Sequence, residues 1–396
     1  MNKRVVFPAI AVCFLLVIVA VSTCGGSSKV TLSWDTVKAS TPPKDQIDLK
    51  VYVENSGSMD GYMCRGSNLK DAVFDYVSDL KKYSKSCSLN YINSQIIPYH
   101  GGLDSFIRDL TPVSFAKAGG NRANTDLRSI FKQILAAHQG KNTVTVFVSD
   151  CVLDIPESAT DFFGNCRVAT KNTFSEALAK NPNLGVEIIK LESKFCGWWY
   201  CGKNKMLLNN AKRPYYMWII GDKDYLAQLN KKAPVGDIIG GISNYCAYAG
   251  SSPIPFDMGK KTFVVGHTDK INVQMFVDLT RSLQDEDVIT NVAQYKSSNP
   301  LQTKVSSVRK ITDPKSAYSH VIELDMSNPK TLKSETLTFS YPYLPQWVVS
   351  TNDSTGKTVK GNIGKTTGLS SLAGGVADAY KASMEYGSVS FNLKNK

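Results

Sequence analysis

The chain has 396 residues, 42% hydrophobic and 20% charged, which excludes wholesale disorder, a collagen-like repeat and a disulfide miniprotein, and which suits two globular domains. Its formal charge of +12 is spread thinly, with an excess of +6 over residues 24–250 and +4 over residues 251–396. The longest basic runs are pairs such as Lys81-Lys82, so a nucleic-acid surface is not expected.

The N-terminus sets the compartment. Met1-Asn2-Lys3-Arg4 is a positive lead, and Val5 to Val21 is an apolar run that ends in small residues, so residues 1–23 read as a secretory signal. Val21-Ser22-Thr23-Cys24 resembles a bacterial lipobox, which implies acylation of Cys24 and a membrane-anchored lipoprotein of the cell envelope, facing the periplasm or the cell surface. Thr23 departs from the Gly, Ala or Ser usual before that cysteine. Without the signal the charge is +10.

Residues 24–45 read as a polar tether. Beyond it Ile47, Leu49, Val51 and Val53 alternate as in a strand, and Leu69, Val73, Tyr76, Val77 and Leu80 fall at helical spacing. Leu89–Tyr99 reads as a strand, Leu127–Leu135 as a helix, Thr143–Val148 as a buried strand and Phe174–Leu178 as part of a helix. Val186–Leu191 and Tyr215–Ile220 are further strands, with a helix from Tyr225. Strands alternating with helices over 46–233 predict a parallel α/β sheet. Residues 234–261, rich in Gly, Ser and Pro, read as a connection. Over 262–396 many short apolar runs, among them Val288–Tyr295 and Gln346–Ser350, predict a mostly β, sandwich-like domain, with one helix through Leu369, Leu372, Val376 and Tyr380.

The first strand ends in Val53-Glu54-Asn55-Ser56-Gly57-Ser58-Met59, where a carboxylate and two hydroxyls can face one concave loop. Such oxygens suit a hard divalent cation. Thr125 follows a Gly-containing loop and precedes a helix, and Asp150 ends the buried strand, so three loops at strand ends would converge. This pattern resembles the von Willebrand factor type A domain and its metal-ion-dependent adhesion site, over Gln46 to Ala233. The resemblance implies a Rossmann-like parallel sheet flanked by helices and a site of Glu54, Ser56, Ser58, Thr125 and Asp150 holding Mg, or else Mn or Ca. It further implies that an acidic side chain of a partner protein completes the coordination, which is binding or adhesion rather than catalysis. Glu54 stands where the family has Asp, and the longer side chain either holds a metal-bound water or fills the cavity. Asp60, Asp126 and Asp154 are nearby carboxylates.

Outside the cytoplasm the cysteines are disulfide candidates. Cys196 and Cys201 bracket Gly-Trp-Trp-Tyr, Cys151 and Cys166 flank one loop, Cys64 and Cys87 flank one helix, and Cys246 is left over. No CxxC occurs and the four histidines are scattered, which argues against zinc. The aromatic run Trp198-Trp199-Tyr200 reads as a hairpin covering the domain junction, or as a glycan or membrane contact. Ser67-Asn68-Leu69-Lys70 has the Ser-x-x-Lys spacing of penicillin-recognising hydrolases but lacks their companion motifs. A metal-independent scaffold subunit is the alternative to cation-assisted binding, and a hydrolase using a bound ion or Ser67 is a third reading.

Overall fold

The protein is described from a computed structural model, over residues 28–37, 42–123, 125–155, 161–201, 204–357, 361–381 and 384–395. The signal, Cys24 and the side chain of Cys201 lie outside these residues. Among the described residues no helix is long and apolar enough to cross a membrane.

In chain order the first half contributes β1 (Ser28–Ser33), β2 (Ile47–Glu54), a 3-10 helix (Gly57–Met63), α1 (Leu69–Lys81), β3 (Ser84–Ile92), β4 (Ile96–Pro98), α2 (Leu103–Arg108), α3 (Pro112–Ala118), α4 (Leu127–Ala137) and β5 (Thr143–Ser149). Then come α5 (Phe162–Lys180), β6 (Leu184–Cys201), β7 (Asn204–Asp222), α6 (Lys223–Lys232) and β8 (Asn244–Ala249). Seven of these strands make one sheet in the order β4-β3-β2-β5-β7-β6-β8.

The expected Rossmann-like parallel sheet is overturned. Only β3, β2 and β5 run parallel, while β4, β7, β6 and β8 each join antiparallel, so the sheet is mixed. A parallel pair needs a crossover connection, commonly a helix. The residues between Leu191 and Tyr215 do not supply one. They prolong both strands into a single hairpin that pairs from Leu184↔Asp222 to Cys201↔Asn204, with one irregularity between Phe195 and Gly197.

The second half contributes β9 (Phe256–Met258), β10 (Thr262–Val265), β11 (Lys270–Val277), α7 (Glu286–Thr290), β12 (Tyr295–Ser297), β13 (Thr303–Lys310), β14 (His320–Ser327) and β15 (Ser334–Ser340). After these come α8 (Gln346–Ser350), β16 (Asn352–Asp353), β17 (Thr366–Thr367), α9 (Leu369–Tyr380) and β18 (Glu385–Asn395). Two antiparallel sheets result, β10-β1-β18-β15-β12 and β13-β14-β11-β9, beside a short parallel pair of β16 and β17.

Several local expectations change with this architecture. The segment read as a tether supplies β1, because Val30 and Leu32 bury their side chains between polar neighbours and pair with β10 and β18. The segment read as a connection supplies β8 to the mixed sheet and β9 to the second half. Val288–Tyr295 is largely helical rather than extended: Asp285 accepts the Val288 amide at 2.9 Å and starts α7, and Asn291 caps the 3-10 turn that follows. Gln346–Ser350 is α8, opened behind Pro345.

Alternation on the central strands separates two cores. Val51, Val53, Val146, Val148, Met217 and Ile219 pack with α1. Tyr52, Phe147 and Trp218 join α4, α5 and α9 in a cluster continuous with the second-half sheets. The helix foreseen for the C-terminal half thus lies on α5, and Tyr380 Oη donates to Leu184 O at 2.8 Å.

Candidate functional site

The parallel strands β2 and β5 lie side by side, so the residues following them emerge together. Glu54 closes β2, Ser56 and Ser58 open the 3-10 helix, and Asp150 follows β5. Asn55 and Asn93 fix the third loop. Asn93 Nδ2 donates to Asn55 Oδ1 at 3.0 Å and to Gly119 O at 2.9 Å. Gly120, at φ +74, sits against Asn93 where a Cβ has no room. That arrangement delivers Arg122 and Thr125 to the same place.

All five sequence-predicted residues come together. Glu54, Ser56, Ser58 and Thr125 line a cavity of about 200 Å³, with Arg122, Asp154 and Tyr200. Asp150 is not on the lining; it is 1% exposed, with its charge felt by Glu54 and with Ser58 nearby. Ser56 Oγ and Ser58 Oγ are 3.0 Å apart. Ser149 Oγ donates to Glu54 Oε2, and the Val152 amide donates to Asp150 Oδ1 at 3.2 Å.

Burial, and then the neighbouring Asp150, pushes the Glu54 carboxyl up to about 8, against the hydroxyls of Ser149 and Ser56. Asp150 is also raised, by burial, against the opposing Arg213 charge, the Val152 amide and Ser58. Two buried carboxyls this close do not both ionise without a compensating cation. Arg213 is one source of positive charge. Wholly buried, it is stacked over Trp199 at 4.5 Å and Phe195 at 5.7 Å, and it donates to Ile363 O at 2.6 Å.

The donor set fits a hard cation on one further observation. Thr125 Oγ1 and Asp150 Oδ2 are both buried and accept or donate no hydrogen bond. Buried polar atoms ordinarily find partners, and these two belong to the residue types that complete an oxygen shell. Among the described residues no group of three or more His, Cys, Asp or Glu side chains is placed to hold a metal ion, so a cation here would be held by two carboxyls and three hydroxyls.

The surrounding carboxylates have other duties. Asp60 receives Arg122 Nη2 at 2.5 Å, and Arg122 Nε reaches Asn55 O at 2.7 Å, which braces the loop. Asp126 caps α4 and binds Arg128 at 2.7 Å. Ser67 Oγ is 2.8 Å from Ser193 Oγ and faces the Leu69 amide. In the aromatic run Trp199 is buried, while Trp198 and Tyr200 are exposed and Tyr200 rims the cavity.

Arg122, Ser149 and Arg213 escape sequence reasoning. Arg122 is signalled only by its place in the Gly-Gly-Asn-Arg loop, and Arg213 sits beside Lys212 like any surface basic pair. No protein-family pattern matches the chain, and no curated protein is similar to it in sequence.

Of the three expected disulfides, Cys64–Cys87 and Cys151–Cys166 are not formed in this structure, and Cys196–Cys201 falls on a side chain outside the described residues. Cys64, Cys87, Cys151, Cys166 and Cys196 all carry free thiols. Cys151 instead accepts the Trp218 Nε1 hydrogen at 3.2 Å inside the core, and Cys166 is wholly buried on α5.

Proposed function

We propose that the protein binds a divalent cation, Mg or else Mn or Ca, through Glu54, Ser56, Ser58, Thr125 and Asp150, and uses it to engage an acidic side chain of a partner protein. The observation that carries this reading is a pair of unpartnered buried oxygens, Thr125 Oγ1 on the lining of a cavity rich in oxygen donors and Asp150 Oδ2 on a residue beside Glu54 and Ser58 of that lining. The cation would neutralise the crowded carboxyls and hold the partner's carboxylate. Charge pairing and the shape of the rim, including Tyr200, then give specificity without chemistry on the partner. The reading rests on this side-chain constellation and its likeness to a metal-ion-dependent adhesion site, not on a parallel-sheet fold. With the N-terminal lipobox-like segment, it makes the protein an envelope lipoprotein that binds or scaffolds other proteins.

Calorimetric titration with Mg and Mn tests it. Wild type should bind, and Ser58→Ala combined with Asp150→Ala should lose about tenfold or more in affinity. Equal affinity in the two removes the site. Affinity capture from native envelopes, with and without chelator, tests the partner: chelator-insensitive capture would make the protein a metal-independent scaffold.

A further inference from the structure

The 3-10 helix that carries Ser58 and Asp60 ends at Cys64, and it lies directly on the long hairpin. A Cβ at Gly197 would stand 2.8 Å from Gly61 Cα, so two glycines let the backbones of the two segments touch. Phe195 lies under Gly61, and its ring meets Tyr62 edge to face at 4.9 Å. This close approach brings Cys64 beside the neighbouring stretch of β6. Its Sγ is 4.0 Å from Lys194 O, two residues from Cys196, and the two thiols lie close enough to act on each other's ionisation.

We infer that Cys64 and Cys196 are the protein's disulfide-forming pair, a cross-link that staples the site-bearing 3-10 helix to the β6–β7 hairpin. Both thiols are partly exposed, and so within reach of an oxidant, as is Cys87 on β3, whereas Cys151, Cys166 and Cys246 are buried. Cys196 sits at the irregularity between Phe195 and Gly197, where β6 is released from strict pairing and its side chain can adjust. The two thiols also differ in a useful sense. Burial, and then the Cys196 contact, pushes Cys64 up to about 11. At Cys196 burial is outweighed by the Cys64 hydrogen bond, the Asn210 backbone and Lys194, which leaves it below an ordinary thiol.

Cys196 is therefore the attacking thiolate. It displaces one sulfur of an external disulfide, supplied by a dithiol–disulfide oxidant, and forms a mixed disulfide while one oxidant thiol leaves. Cys64 then loses its proton and attacks the Cys196 sulfur. The Cys64–Cys196 bond forms, the second oxidant thiol leaves, and the oxidant has gained two electrons and two protons. The secretory signal read at the N-terminus would deliver the chain to a compartment where such oxidants act.

Oxidised glutathione serves as the test oxidant. The full chain is incubated with it, alkylated, digested without reduction and mapped by mass spectrometry. The expected product is a Cys64–Cys196 linked peptide pair, with both thiols lost to alkylation and Cys151, Cys166 and Cys246 unaffected. Cys201→Ser should retain the link, and Cys64→Ser should leave Cys196 alkylated or glutathione-capped. A Cys196–Cys201 link overturns the inference, as do Cys64 and Cys196 both recovered as alkylated thiols. The wild-type map decides even if Cys64→Ser fails to fold.

Discussion

Glu187, in the middle of β6, is wholly buried. Asn230 Nδ2 donates to its Oε1 at 2.5 Å and Tyr245 Oη at 2.9 Å, while Oε2 has no partner. Burial pushes this carboxyl up to about 7, against both hydrogen bonds. The fold therefore prefers the protonated form, and the unfolded chain ionises first. Stability contributed by the neutral acid is complete below about pH 4.5 and is lost as pH rises toward 7, by roughly 3 kcal/mol in all. Glu187→Gln keeps the acceptor and cannot ionise, so urea melts at pH 5 and pH 7.5 should differ less in the variant than in wild type. An unchanged difference would place the titration elsewhere. At this scale the sequence was informative about oxygen donors: Glu54, Ser56, Ser58, Thr125 and Asp150 follow strands or precede a helix, and local order is enough to find such positions. It was uninformative about Arg213, whose burial between Trp199 and Phe195 depends on hairpin pairing across β6 and β7.

At the level of elements, α5 and α9 meet through glycine. Gly375 lies within α9, and a Cβ there would stand 2.6 Å from both Arg167 O and Thr170 Cβ. In an exposed helix Gly→Ala gains about 1 kcal/mol of propensity. Here the clash with a backbone carbonyl, which cannot rotate away, outweighs that gain, since overpacking costs about 1–3 kcal/mol. Gly375→Ala should therefore lower the urea midpoint, and a higher midpoint would mean that the two helices can separate without loss. The helix at Leu369–Tyr380 was legible from its apolar spacing. Its partner was not, because periodicity shows that one face is buried without showing against what. The same limit applies to the paired strands. Val186–Leu191 and Tyr215–Ile220 were recognisable as strands, but their direction is set by the long hairpin between them, whose polar and aromatic residues carry no clear strand period.

Across the whole molecule, one apolar cluster runs from Tyr52, Phe147 and Trp218 of the mixed sheet through α5 and α9 to Val273, Leu324 and Phe391 of the second half. Arg167 on α5 reinforces this join, donating to Asp378 of α9 at 2.7 Å and also to the Tyr343 hydroxyl. A continuous core predicts cooperative unfolding. Tryptophan fluorescence and far-ultraviolet circular dichroism should trace coincident urea transitions, whereas two separated transitions would show that the halves are held together more weakly than their shared core implies. Sequence by itself determined the diffuse charge, the export-like N-terminus, the positions of most strands and helices in the first half, and the oxygen donors of the candidate site. Those features depend on residues near one another in the chain. Tertiary structure decided that the sheet is mixed, that β1 joins a distant sheet between β10 and β18, that α9 serves the first half and that Cys64 lies against Lys194 of β6. Each of these depends on which surfaces meet after the chain has turned back on itself, and a local pattern of apolar and polar residues leaves that choice open.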